Sequence, residues 1–224
     1  MLKVIISGYG KMGHMVEAEL LSRGMTPVLI SEDITSVSPM QAKECVCIDF
    51  TTPLAFHRNY LFIAQHFKAA VVGTTGWNDI EEEVKQAFLN THTTLIYSSN
   101  FSLGINALFA AVTKATVLLR DADYQPHIEE VHHVHKLDAP SGTAKFIAEL
   151  VQKGMGVTPV ISSVREGEVP GVHTLTLTSD SDILTFRHEA ISRKAFARGA
   201  VFAAQLAETI TGVHVFSEVL EGYF

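Results

Sequence analysis

The stretch EVHHVHKLDAPSGT, Glu130–Thr143, concentrates the acid–base chemistry of the chain. Three of the eleven histidines, His132, His133 and His135, lie within it, followed by Lys136 and Asp138. Imidazole titrates near neutral pH without help, and a lysine close to other cations can become a general acid. Pro140-Ser141-Gly142-Thr143 then leads into a helical pattern. Ser141 or Thr143 can cap that helix, and Gly142 permits a close approach. A helix start beside His133 and Lys136 suits one or two carboxylates. Two other readings compete. His132, His133, His135 and Asp138 could bind zinc, although neighbouring histidines on a strand face opposite ways and the helical i, i+4 pairing is absent. The histidines could also be half-exposed strand residues with no chemistry.

A second motif, Gly8-Tyr9-Gly10-Lys11-Met12-Gly13, has the form G-x-G-x-x-G. It follows the apolar run LKVIIS and opens a helical pattern, the context in which such glycines cradle a pyrophosphate. Gly8 allows the turn, Gly10 the approach of a phosphate and Gly13 the packing of helix on strand. Glu32 stands where a carboxylate accepts hydrogen bonds from an adenosine ribose and repels a 2′-phosphate. No Lys or Arg adjoins it, which favours NADH over NADPH. The competing reading is a plain strand–helix turn with a solvated Glu32.

The elements that must position these residues fall into two patterns. Over about the first 100 residues, apolar runs (LKVIIS, PVLI, CVCIDF, AAVVGT, TLIYSS) alternate with helical stretches, including Lys11–Arg23 and a polar one over Asn78–Asn90. This predicts a parallel sheet with helices on both faces. Its strand ends lead to Asp49–Pro53, Gly73–Gly76 and Ser98–Phe101, where an open α/β sheet places its ligand. A long helix over Ser102–Leu119 then precedes strand-like runs such as PVISSV and HTLTLTS. They are interrupted by a helix near Thr143–Lys153, with Gly154 behind it. That predicts an α+β unit on a mixed or antiparallel sheet. The expected division is residues 1–102 with 196–224 for the dinucleotide, and 103–195 for substrate binding and oligomerisation. The helix over Lys194–Ile210 is expected to pack back on the first domain.

Composition narrows the function classes. Apolar residues are 47% and charged ones 18% of 224, a globular balance able to bury a core. A net charge of −7 gives no general attraction for nucleic acid or an anionic membrane. No apolar stretch is long enough to span a membrane, and the opening residues lack a signal-peptide pattern. Cys45 and Cys47 share one face of a strand and read as reduced core residues, which suits a cytoplasmic protein.

Together GYGKMG, DFTTP, VVGTTGW, SSNFSLGIN and EVHHVHKLDAPSGTA resemble the dihydrodipicolinate reductase family. Arg165-Glu166-Gly167, Gly171, His173 and the late SRKAFARGA resemble its C-terminal part. The resemblance implies reduction of a cyclic dicarboxylate imine by NADH or NADPH in the lysine and diaminopimelate pathway. It implies that His132 is a proton donor/acceptor and Lys136 a proton donor that also meets substrate. It implies that His133, Gly142 and Thr143 hold substrate carboxylates. Gly8, Tyr9, Gly10, Lys11, Met12, Gly13, Glu32, Gly73, Thr74, Thr75, Ser98, Ser99, Asn100 and Phe101 resemble the cofactor contacts. No metal is implied, and a homotetramer is. One departure concerns the cofactor: many members carry an Arg after the acidic residue of strand two, where this chain has Asp33. Another two-domain dehydrogenase of a small imino or amino acid, or a dinucleotide sensor without turnover, would share the glycine motif but not need the histidine run.

Overall fold

A computed structural model describes residues 2–223. The chain divides into two compact units: residues 1–102 with 194–224, and residues 103–193.

In the first unit, β1 (Val4–Ser7) runs through the glycine turn into α1 (Lys11–Ser22), and β2 (Leu29–Ser31) follows. A short α2 (Pro39–Ala42) leads to β3 (Val46–Asp49). Then come α3 (Pro53–His66), β4 (Ala69–Val72), α4 (Glu81–Thr91) and β5 (Thr94–Tyr97). Pro53 starts α3 and Thr52 caps it, its hydroxyl accepting the Ala55 N–H. Alternation along the strands builds the layers. Ile6, Val46 and Ile48 face one side, while Ile5, Cys45 and Cys47 face the other. Both thiols are free and buried.

The second unit begins with α5 (Leu103–Leu118) and β6 (Gln125–His132). α6 (Gly142–Met155), β7 (Val160–Arg165), β8 (Val172–Thr178) and β9 (Ile183–Glu189) complete it. Its sheet has the order β7-β6-β8-β9, with β6 parallel to β7 and the other pairs antiparallel. Ile105 and Val112 of α5 and Ile147 and Val151 of α6 pack on Ile128, Leu175 and Leu177. The predicted helix stop at Gly154 is displaced. Gly154 lies within α6 against Thr116, and Gly156, left-handed with φ 79°, ends the helix.

The chain then returns to the first unit through α7 (Lys194–Leu206), β10 (Val213–Val215) and α8 (Phe216–Tyr223). Ala197, Ala200, Val201 and Ala204 of α7 cover the same sheet face as α1. The six strands run parallel in the order β10-β5-β4-β3-β1-β2. The register places Ser31, Ser7, Asp49, Val72, Tyr97 and Val215 in one row. Every loop that the sequence marked therefore leaves the sheet at the same level.

Candidate active site

The strand order reverses on either side of β1, the place where open α/β sheets bind ligands. Gly8 turns there with φ 87°. A Cβ on Gly13 would meet the Gly8 carbonyl oxygen at 2.2 Å, so α1 can sit this close only with glycine. Gly10 is different, since nothing lies within 4 Å of its missing Cβ. It caps α1 without a side-chain hydrogen bond and leaves the first-turn N–H groups open to an approaching anion. Tyr9 packs on His14, with ring centroids 3.8 Å apart, and its hydroxyl donates to Glu17. Lys11 is exposed and Met12 half-buried. Glu32 is exposed just past β2 and has no hydrogen bond or ion pair among the described residues. Asp33 is engaged: its Oδ1 accepts from the Thr35 N–H at 3.1 Å and the Thr35 hydroxyl at 2.6 Å.

Asp49 joins three of the strand ends. It is fully buried and accepts from Ser7 Oγ (2.6 Å), Thr74 Oγ1 (2.5 Å) and Thr51 Oγ1 (3.0 Å). Burial pushes its carboxyl up from the usual carboxylate value, and these hydrogen bonds oppose the rise. The Thr74 hydroxyl is therefore turned inward, leaving Gly73 and the exposed Thr75 as the outer members of that loop. Ser98 shapes the next loop, its hydroxyl bonded to both the N–H and the carbonyl of Asn100. A pocket of about 170 Å³ opens here, lined by Met12, Phe50, Gly73, Ser99, Asn100, Phe101 and Phe196. Phe101 is at once a pocket wall and a core residue, packed against Phe216 at 4.9 Å between centroids. The unpaired helix start and this apolar-walled pocket fit the diphosphate and ring portions of a nicotinamide dinucleotide.

The second unit gathers its polar residues at the end of β6. Alternation turns Ile128, Glu130 and His132 toward the core, all buried. Register sets Glu130 opposite Ser163 of β7 and His173 of β8, and His132 opposite Arg165. Glu130 Oε1 accepts from Arg165 Nη2 at 3.1 Å and from the Ser141 N–H at 3.0 Å. Arg165 also donates to the carbonyls of Lys136 (3.3 Å) and Asp138 (2.5 Å), pinning their loop. Ser141 caps α6, its hydroxyl accepting the Ala144 N–H at 3.2 Å and lying 3.1 Å from His173 Nε2. Four N–H groups are orphaned at a helix start. Here Ser141 uses its own on Glu130 and Ala144 uses its own on Ser141. Those of Gly142 and Thr143 have no partner among the described residues.

The histidines differ in setting. His133 lies past the strand in a turn closed by the Lys136 N–H at 3.1 Å. His135 is exposed beside Glu168. Burial pushes His132 below its ordinary value; Glu130 pulls it up, while Lys136 and Arg165 push it down. Burial, then the neighbouring His132, pushes His173 down to about 4. Burial also raises the Glu130 carboxyl, but the polar groups of Ser141, the facing Ser163 and Arg165 outweigh it and hold the group below its usual value. Lys136 does not stand among cations alone, because its Nζ is 2.7 Å from Asp138 Oδ1. The four residues weighed for zinc are not gathered. The group that converges is Glu130, His132 and His173, with one ligand atom from each within 4.8 Å of the others. Arg165 occupies one oxygen of that carboxylate and Ser141 Oγ lies against His173 Nε2, while Glu130 Oε2 and His132 Nδ1 have no hydrogen bond among the described residues.

Residues 17–101 match the family described as dihydrodipicolinate reductase, N-terminus, and residues 104–220 match its C-terminus. The chain belongs to the dihydrodipicolinate reductase family. Among curated relatives, the 4-hydroxy-tetrahydrodipicolinate reductase of Christiangramia forsetii is 34% identical, covering 100% of this chain and 99% of the relative. That of Thermosipho africanus is 31% identical over 98% of each. The fold is that of a dipicolinate-bound dihydrodipicolinate reductase from Paenisporosarcina sp. TG-14 (TM-score 0.79, 21% identity, 96% and 97% covered). It is also that of a C. glutamicum DAP dehydrogenase (TM-score 0.61, 13% identity, 97% and 93% covered).

Within this reductase family fold, the residues marked in the sequence fall in two groups. The glycine motif and the three loops surround the strand ends of the first unit, and His132, Lys136, Gly142 and Thr143 cluster in the second. Reasoning from motifs marked the loop of Asp49 and Phe50, the stretch opened by Glu130 and the late run containing Phe196, but gave none of these residues, nor Ser163, an individual role. Glu130 carried a readable signal: it shares the inward parity of Ile128 and His132, where a carboxylate needs partners.

Proposed function

We propose that the chain reduces dihydrodipicolinate, or its hydrated precursor 4-hydroxy-tetrahydrodipicolinate, to tetrahydrodipicolinate in lysine and diaminopimelate biosynthesis. The observation that carries this is the start of α6, where the two unpaired N–H groups belong to Gly142 and Thr143. Arg165 and Glu130 pin that helix start and the Lys136 loop together. Gly142, Thr143 and His133 hold the substrate carboxylates, helped by the positive end of the helix. A bound nicotinamide dinucleotide supplies the hydride for a ring carbon of the conjugated imine. Lys136, placed beside Asp138, donates the proton that the reduced ring takes up. His132, neutral at neutral pH, exchanges protons beside it.

Freshly prepared dihydrodipicolinate should drive NADH oxidation, and pyridine-2,6-dicarboxylate, a planar dicarboxylate, should compete with it. Lys136→Met and His132→Gln should each lower kcat by roughly 10²–10⁴-fold. Near-normal turnover in both variants would remove the roles given to them.

The preferred cofactor is NADH, because Glu32 has no partner among the described residues and can meet a ribose, while Asp33 is spent on Thr35 and no Lys or Arg adjoins Glu32 in the sequence to take a 2′-phosphate. Michaelis constants for the two cofactors test this, and a strong NADPH preference would reverse it. The assembly is a homotetramer formed through the outer face of the second sheet, where Val160 and Ile183 are about two-thirds exposed. Light scattering reads that mass directly. The free thiols suit a cytoplasmic enzyme, and no helix among the described residues is long and apolar enough to cross a membrane.

A further inference from the structure

A carboxylate with no solvent exposure needs a partner for each oxygen. Glu130 Oε1 has two, Ser141 and Arg165. Oε2 lies 3.1 Å from His132 Nδ1 and 3.9 Å from His173 Nε2. Among the described residues neither Oε2 nor His132 Nδ1 has a hydrogen-bond partner; the two orphaned atoms face each other at ion-pair distance. The carboxylate can only accept, so the group able to satisfy both orphaned atoms is a proton on Nδ1 turned toward Oε2, which leaves the lone pair on Nε2. That edge of the ring faces Gly171, where an added Cβ would come within 3.0 Å of Nε2 and 3.2 Å of Cδ2. Glycine at this position keeps Nε2 accessible.

We infer that Glu130 is a positioning residue: its Oε2 fixes His132 as the Nδ1–H tautomer with Nε2 open past Gly171, while its Oε1 holds the start of α6. One buried carboxylate thereby sets the proton-exchanging group and the carboxylate-binding helix start in a common register. The inference rests on the role given to His132 above, but the tautomer can be read without turnover.

The groups facing His132 define the electrostatic consequence. Glu130 lies on its own strand, Arg165 on β7, His173 on β8 with His188 opposite it on β9, and Lys136 and Asp138 on the following loop. His173 is neutral near pH 7. Removing the Glu130 charge leaves Arg165 and Lys136 opposed by Asp138 alone, so a proton on His132 becomes harder to hold.

Glu130→Gln preserves shape and removes charge. It should lower kcat about 10–10²-fold, part of the roughly 10²–10⁴-fold that proton transfer contributes. KM for the substrate should change little, because the amide oxygen can still hold Ser141. The pH limb of kcat that disappears in His132→Gln should move to lower pH by about one unit or more. Glu130→Asp keeps the charge and should restore that limb toward its parent position. A purely structural glutamate would leave the limb in place. Nitrogen-15 NMR of the imidazoles, with His132 assigned by its loss in His132→Gln, should show Nδ1–H in the parent protein and a shift toward Nε2–H in Glu130→Gln. An Nε2–H tautomer in the parent overturns the inference, and requires no Glu130 variant to fold. An unchanged limb and tautomer in Glu130→Gln overturn it equally. Failure of the parent to reduce dihydrodipicolinate would instead count against the proposed reaction, while the NMR result still decides the Glu130–His132 pairing.

Discussion

His173 should make the second unit acid-labile. Its imidazole is buried, its ring lies 5.0 Å from that of His132, and its pKa is pushed from 6.5 to about 4. In the unfolded chain the same group takes up a proton near pH 6.5. A depressed folded value means that the stabilisation is complete above pH 6.5 and is lost as pH falls toward 4. With those two values, the opening equilibrium of the segment containing His173 rises about 20-fold by pH 5 and about 120-fold by pH 4 relative to pH 7. The latter is about 3 kcal/mol. Hydrogen exchange of peptides covering Val172–Thr178, corrected for the intrinsic pH dependence, reads this opening locally and does not require the two units to unfold together. His132 and His188 are shifted in the same direction by burial, so the parent protein should lose at least this much. The difference between the parent and His173→Gln isolates the His173 share. Glutamine can still donate to Ser141 and does not titrate. If that variant keeps the parent's full pH dependence, the reasoning about burial is wrong.

Other perturbations follow from the first unit. Asp49→Asn puts an amide donor among hydroxyls that now donate to a carboxylate. It should cost about 1–3 kcal/mol in stability and raise KM for the dinucleotide more than it lowers kcat, as loops shift on the three joined strands; denaturant titration and initial rates check both. Gly199→Ala on α7 would place a Cβ 1.6 Å from the Phe101 carbonyl oxygen, a backbone atom that no rotamer change can move. A loss of about 1–3 kcal/mol and weaker dinucleotide binding at the Phe101 wall are expected. An unchanged melting temperature and KM would contradict this.

Local order was legible where a short period or a single residue decides it. Alternation predicted that Cys45 and Cys47 share a face, and Pro53 and Ser141 marked their helix starts. Elsewhere competing contacts decided. Gly154 looked like a helix stop, but its lack of a side chain serves packing on Thr116, and the helix continues to Met155. The strands β9 and β10 were not marked. β10 has only three residues, and β9 is an edge strand whose ILTFRHE carries no buried residue. The pocket beside the glycine loop needed Phe196 from the far end of the chain, and the network around His132 needed Arg165 and His173 from two other strands. Nothing in local spacing announces such meetings, which only the sheet register creates. Thr74 shows the converse: its sequence position suggested a ligand contact, while burial commits its hydroxyl to Asp49.

The split composition of the first unit bears on the order in which the molecule can be finished. The strands β1 to β5 are synthesised before residue 102, yet one face of their sheet is covered by a helix that begins at Lys194. Until the ribosome has passed that point, Ile48 and Val71 lack the cover that α7 gives beside α1, and the wall supplied by Phe196 does not exist. A chain that stopped short of Lys194 would retain every residue of the glycine motif and still lack a finished dinucleotide pocket. The cofactor half thus cannot be completed before the whole of the intervening unit, residues 103–193, has been made.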